Sequence, residues 1–322
     1  MRKILFIFLT LALSLSGTQK LEKIVIAGPV ATVSHPFFKM IEDKALSDVA
    51  EKVEFVLWKN PDELRAILLN NGASFVAIPT NVAANLYNKN IDIRLLNVPV
   101  WGILEILSRD KNAKSIDDFK GKEIVVPFRS DMPDILLQAL IKKAGYDVKK
   151  DFKLNYVATP PDAMQMMIMR RADNVLLAEP ATSMAMRKTG SFPVSLIAPE
   201  IFRSIKLEDE WGRVVGGEAK IPTAGVAVVG GVSDEVIKRF ESEYAKALEW
   251  YKSHPKEAGE LVAKNIDMFK SEAISDSIEH VKLFDAKAID VKNELEDFFS
   301  TILEIEPKLI GGKLPDSGFY YK

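Results

Sequence analysis

Short apolar runs alternate with amphipathic stretches along most of this chain, and the alternation predicts an α/β protein. Lys23–Ala27, Val53–Trp58 and Ser74–Ile78 have strand length and are bounded by turn residues. Between them lie helix-length segments. After Gly28-Pro29, the residues Phe37, Met40 and Ile41 fall on one side of a helix with Pro36 near its start. Asn60-Pro61-Asp62-Glu63 combines a cap, a proline at the first helical position and an early glutamate, so it predicts a helix start. Asn70-Asn71-Gly72 predicts its end. Pro79 closes the third strand, and Thr80 or Asn81 is the expected cap of a third helix. The order β-α-β-α-β-α implies a mainly parallel sheet with helices on its faces.

The pattern then breaks and restarts. Ile93–Val98 and Ile103–Leu107 read as two strands around Pro99-Val100-Trp101-Gly102. Ser115 to Asp118 forms a capping box, Lys122–Pro127 a strand, and Pro133–Ala144 a helix stopped by Gly145. Leu154–Val157 is a strand, Thr159-Pro160-Pro161-Asp162 a helix start, Asn174–Ala178 a strand, and Glu179-Pro180 opens another helix. Ile221–Val229 reads as a return strand. Beyond it the pattern is helical. Val236, Ile237, Phe240, Tyr244, Ala247, Leu248 and Tyr251 form one stripe, and Leu295, Phe298, Phe299 and Ile302 another. The prediction is two α/β units and a helical C-terminal section.

Composition narrows the class. Arg2 and Lys3 precede an apolar stretch, Ile4 to Leu15, which is too short for a membrane span, and small residues follow it. Residues 1–17 therefore read as a cleaved secretory signal. Without Arg2 and Lys3 the chain has 41 basic and 45 acidic residues, a balance that gives no reason to expect nucleic acid or an anionic membrane as partner. There is no cysteine, which removes disulfides, thiol catalysis and an N-terminal lipid anchor on cysteine. The periplasm is the expected compartment. The histidines His35, His254 and His280 are scattered, and Met164, Met166, Met167 and Met169 point in several directions from one helix. No metal site, cofactor or nucleophile–base set is expected.

Ser115-Ile116-Asp117-Asp118-Phe119-Lys120-Gly121-Lys122, followed by Glu123-Ile124-Val125-Val126-Pro127, resembles the opening of the second lobe in periplasmic binding proteins of the second structural type. Arg171-Ala172-Asp173-Asn174 with Leu176-Leu177-Ala178-Glu179-Pro180 resembles their later strand and Glu-Pro segment. Asn71-Gly72-Ala73-Ser74-Phe75-Val76-Ala77 stands at the matching place in the first unit, with Ser74 where an aspartate is usual. The subgroup it resembles binds nitrate, sulfonates, taurine and thiamine pyrimidines for ABC importers. The resemblance implies a two-lobed type 2 fold, each lobe a mainly parallel sheet flanked by helices. It also implies a small-molecule solute in the interlobe cleft, a membrane permease as partner, and a monomer. The expected lobes are 18–107 with 222–322, and 108–221.

In open α/β sheets, ligands sit at the carboxyl ends of strands, where helix N-termini present free N–H groups. Here those turns are Gly28–Thr32, Pro79–Asn81, Phe128–Asp131 and Glu179–Thr182. They supply Val30, Thr32, Thr80, Asn81, Arg129, Ser130 and Glu179 as candidate ligand contacts. Arg129 suits an anionic group, and Glu179 suits an ammonium, amide or ring amine. Trp101 is the candidate cleft wall, and Trp211, in an expected loop, a second. Two other functions fit the same fold: an enzyme of pyrimidine or menaquinone-pathway type, and a periplasmic ligand sensor. The export signal argues against the first, and an uptake assay in a deletion mutant separates importer from sensor.

Overall fold

A computed structural model describes residues 20–197 and 200–322, so the expected signal segment lies outside the described residues. In chain order the first part holds β1 (Leu21–Gly28), a 3-10 turn Thr32–Ser34, α1 (His35–Glu42), β2 (Ala50–Leu57), α2 (Pro61–Leu69), β3 (Phe75–Pro79), α3 (Thr80–Asn88) and β4 (Ile93–Val100). The middle part holds β5 (Leu104–Ser108), β6 (Glu123–Pro127), α4 (Met132–Lys143), α5 (Val148–Asp151), β7 (Lys153–Val157), α6 (Pro160–Ile168), β8 (Asn174–Ala178), α7 (Ala181–Gly190), α8 (Val194–Ile197), β9 (Phe202–Lys206) and α9 (Leu207–Val215). The last part holds β10 (Ala224–Val229), α10 (Asp234–Ser253), α11 (Pro255–Asn265), α12 (Ser271–Ser277), β11 (Leu283–Lys287) and α13 (Lys292–Ile305).

The strands form two sheets, as expected. One has the order β11-β4-β10-β3-β1-β2, the other β7-β6-β8-β5-β9. β1 runs parallel to β2 and β3, and β6 runs parallel to β7 and β8, which puts the carboxyl ends of each trio on one edge. Antiparallel β10 inserts between β3 and β4, so the return segment completes the first sheet.

The chain crosses between sheets earlier than the sequence suggested. The run Ile103–Leu107, placed by the sequence in the first lobe, forms most of β5, which pairs with β8 and β9 and belongs to the second sheet. The crossing is Trp101–Ile103. There the Trp101 N–H donates to Lys282 O at 2.9 Å, the Ile221 N–H donates to Trp101 O at 2.8 Å, and the Lys282 N–H donates to Gly102 O at 3.1 Å. Three passes of backbone thus meet at the hinge. The expectation failed because both flanking runs are apolar and of strand length, and nothing local says which sheet each joins. Trp211, expected in a loop, lies in α9 and packs edge-on to Phe298.

Local chemistry explains the helix ends. The Asn60 side chain accepts from the Asp62 and Glu63 N–H groups, and Thr159 with Asp162 makes a capping box before α6. The α10 stripe from Val236 to Tyr251 is buried as its period predicts. Phe240 of that stripe stacks on Phe75 of β3 with ring centroids 3.7 Å apart. Burying each such ring contributes about 2–3 kcal/mol. The C-terminal helices do more than complete the first lobe. α12 packs on α7 of the second lobe, and Phe38, Tyr251, Val262 and Ile274 share one apolar cluster with Ala181 and Met184.

Candidate functional site

The two sheets present their carboxyl edges to each other. On the first edge, the chain leaves β1 at Gly28 and turns through Val30 and Thr32 into α1, while β3 delivers Thr80 and Asn81 into α3. On the second, β6 ends before Arg129–Asp131 and β8 before Glu179–Thr182. The N-termini of α1 and α3 carry no side-chain cap, unlike those of α2 and α6, while the first turn of α7 is held by Glu179 through the Ser183 N–H. The first N–H groups of α1 and α3 therefore keep the partial positive character that favours electron-rich ligand atoms.

The same turns hold buried polar atoms without an aligned hydrogen bond: Thr32 Oγ1, which lies near the Tyr251 hydroxyl, Ser34 Oγ, His35 Nε2, Asn81 Oδ1 and Thr182 Oγ1. Such a group costs roughly 1–3 kcal/mol when left unbonded in a dry site. Thr32, Ser34, His35 and Asn81 come from the first lobe and Thr182 from the second. His35 shows how this side is kept neutral. It is buried, its Nδ1 lies 2.8 Å from the Tyr251 hydroxyl, and burial holds its pKa down at about 3. The imidazole therefore turns Nε2 outward as an uncharged group.

The second lobe adds a charge cluster. Arg203 of β9 pairs with Glu105 of β5 and with Glu179, whose Oε1 lies 2.6 Å from Arg203 Nη1. Arg203 also donates to Ser183 Oγ at 2.8 Å, and Glu179 Oε2 accepts the Ser183 N–H at 3.0 Å. Glu179 Oε1 has this ion pair but no aligned hydrogen bond. Burial pushes both carboxyls up, and Arg203 opposes that rise. The charge of Glu179 also acts on Tyr251, which ties the cluster to the His35 side.

The expected contacts divide accordingly. Thr32, Asn81 and Glu179 lie in this buried zone, and Val30 is half-buried against the apolar cluster beside it. Thr80 is buried but engaged: its hydroxyl donates to Pro222 O at 2.5 Å, so it fastens α3 to the return crossing. Nor does it cap α3, whose N-cap position is Pro79. Trp101 stands at the crossing between the lobes. It is fully buried at the hinge, donates from Nε1 to Val98 O at 2.7 Å and stacks on Phe284. Arg129 and Ser130 are exposed, with the Arg129 guanidinium 4.9 Å above the Tyr156 ring. Their neighbour Asp131 faces the first lobe: burial pushes its carboxyl up, and Arg65 of α2 pulls it back.

Sequence reasoning missed Ser34, His35, Thr182, Arg203 and the polar end of Tyr251. Ser34 and His35 follow a strand-end turn and were readable in principle. Gly28 marks them, because a Cβ there would lie 2.2 Å from Ser34 Oγ. Gly28→Ala should therefore displace Ser34, lower stability by about 1–3 kcal/mol and weaken ligand binding; calorimetry and a melting curve read both. Among the described residues no group of three His, Asp, Glu or Cys side chains is spaced to hold a metal ion.

Two sheets with facing carboxyl edges, a double crossing and a polar zone between them define the class: the two-lobed fold of periplasmic binding proteins of the second type. Comparison with solved structures gives the same answer. The chain is similar to an ABC transporter protein from Parabacteroides distasonis, with 25% identity, a TM-score of 0.76, and coverage of 94% of this chain and 99% of that one. It is also similar in fold to the periplasmic aliphatic sulphonate binding protein of Escherichia coli, at 13% identity and a TM-score of 0.68 over 92% and 99% of the two chains. The periplasmic nitrate-binding protein of Synechocystis gives 12% identity and a TM-score of 0.68 over 89% and 82%. The latter two are periplasmic binding proteins for sulphonate and nitrate. No family profile and no curated protein matches the sequence.

Proposed function

We propose that the protein is the extracytoplasmic solute-binding component of an ABC importer, holding a small polar or anionic organic solute between its lobes and presenting it to a membrane permease. The carrying observation is the set of buried polar side-chain atoms contributed by both lobes where the strand ends turn into α1, α3 and α7. A ligand that bonds Thr32, Asn81 and Thr182 together recovers what each group loses by burial, and it does so only when the lobes are closed. The structural neighbours support the reading: one is an ABC transporter protein, and two are periplasmic binding proteins for sulphonate and nitrate.

The test starts from mass spectrometry of small molecules released from gently purified protein, followed by calorimetry with the molecule found. Thr182→Val keeps shape and removes one hydroxyl, so it should weaken binding by about 10- to 100-fold with little change in melting. Unchanged affinity in Thr182→Val and in Asn81→Ala would sink this site. Export is tested separately. Intact-mass analysis from the native host should show loss of roughly the first 16–19 residues.

A further inference from the structure

A second surface lies at the opposite end of the second sheet, where its parallel strands begin. Arg109, Lys122, Arg170 and Arg171 line an open groove of about 570 Å³ there, alongside Asp110, Glu123 and Asp173. Two acids are already engaged: Asp110 lies 3.0 Å from Lys122, and Asp173 lies 3.8 Å from Arg109. Positive charge continues beside the groove. Lys153 stands in register with Glu123 at the start of β7, and Lys149 and Lys150 precede it, all three exposed; Asp147 and Asp151 in the same segment offset part of this charge, Asp151 being already paired with Lys120. The chain as a whole carries a net charge of −2, so this is local asymmetry and not a property of the molecule.

The same end carries bare apolar side chains. α7 runs away from the cleft, and β9 starts at Phe202 opposite Ser108, which pairs with Asn174 at the groove. The connection between them, which includes α8, therefore lies at the groove end of the sheet. On it Phe192 is 80% exposed and Leu196 74%, while Met169, beside Arg170, is 53% exposed. Protruding apolar tips with cations around them are what an anionic bilayer surface accommodates: the tips enter the headgroup layer and the cations meet phosphates. An acidic protein would draw on the cations but leave Phe192 and Leu196 without an apolar counterpart.

We propose that this end of the second lobe is a docking face for anionic lipid, with Phe192 and Leu196 inserting and Arg171 and the neighbouring lysines pairing with headgroup phosphates. In that pose the interlobe cleft, at the other end of the same strands, opens away from the bilayer, so a protein held this way collects solute and leaves the face before it presents that solute to a permease. The face then concentrates the protein along a membrane. It works whatever the cleft binds.

The experiment is co-sedimentation of the protein with vesicles of phosphatidylcholine alone and of phosphatidylcholine with about one third phosphatidylserine. Partition should be at least about fivefold stronger onto the anionic vesicles at low salt and should lose that preference near 0.5 M salt. Lys150→Glu with Arg171→Glu should abolish the preference, and Phe192→Ser with Leu196→Ser should weaken partition by about fivefold or more. All proteins are used with residues 1–17 removed, so that Arg2, Lys3 and the apolar segment 4–15 cannot partition by themselves and mask the differences. Melting curves confirm that the variants fold. Equal partition onto both vesicles, or folded variants that bind as wild type does, overturns the proposal.

Discussion

Arg203→Ala should destabilise the protein by about 3–5 kcal/mol, more than any substitution at the cleft surface. Its guanidinium is shared by Glu105 and Glu179, whose side chains are 6% and 2% exposed. Removing it leaves two buried carboxyls with no cation between them. Both are already pushed up by burial, so both take up protons more readily once Arg203 is gone. The loss should be largest near pH 8, where holding them ionised costs most. Arg203→Lys should recover only part, because one ammonium cannot serve Glu105, Glu179 and Ser183 Oγ with the planar fork. Glu105→Gln in the Arg203→Ala background should recover another part by removing one of the stranded charges. Urea denaturation and thermal melting at pH 6 and pH 8 measure all of this. An Arg203→Ala protein that melts within about 2 °C of wild type would show the cluster to be ornamental. The same variant should lose ligand affinity, since Glu179 fixes the first turn of α7 through the Ser183 N–H.

The architecture was legible because its signals are local and repeated. The apolar stripes of α10 and α13, the Asn60 cap and the Thr159 capping box each depend on residues within a few positions of one another. Which turns face the cleft was legible too, because parallel strands put their carboxyl ends on one edge. What the sequence hid is pairing over distance. Arg203 meets Glu105 across 98 positions, and His35 meets Tyr251 across 216. Tyr251 reads as one more apolar residue of a helical stripe, and nothing in its neighbourhood announces that its hydroxyl serves His35. Trp101 and Arg129 show the same limit: Trp101 is packed at the hinge and Arg129 lies exposed over Tyr156, and neither partner is readable from the turn itself. Position in a turn fixes where a backbone goes. Where a long side chain points is decided by neighbours that arrive from elsewhere in the chain.

Glu208→Gln should make the protein more stable at pH 8 and change it little at pH 5. Glu208 opens α9 at the hinge and is only 2% exposed. Its carboxyl lies against Gly102, where a Cβ would come within 2.3 Å of Glu208 Cδ, so the crossing strand and the carboxyl share one tight space. Burial pushes its pKa up to about 7; its own backbone N–H, Lys206 and Lys282 oppose that rise, and Asp209 adds to it. The sign follows from the neutral form being preferred in the folded state. Below the ordinary carboxyl value of 4.5 the group is neutral folded or unfolded, and its full contribution is present. As pH rises through about 7 the folded protein must ionise a buried group, and that contribution is lost. The difference is on the order of 3 kcal/mol at pH 8 and about 1 kcal/mol at pH 5. His35 works in the other direction: its depressed pKa withdraws stability as pH falls below 6.5. The wild-type profile is therefore a compromise, and the comparison of wild type with Glu208→Gln isolates the hinge. Urea midpoints across pH 5 to 8 should diverge steadily between the two proteins. Parallel profiles would mean that Glu208 stays ionised beside Lys206 and Lys282, and that the hinge carries no titrating group. Because Gly102 lies on the crossing between the lobes, the same ionisation should also loosen closure, and scattering at pH 8 should show Glu208→Gln the more compact of the two.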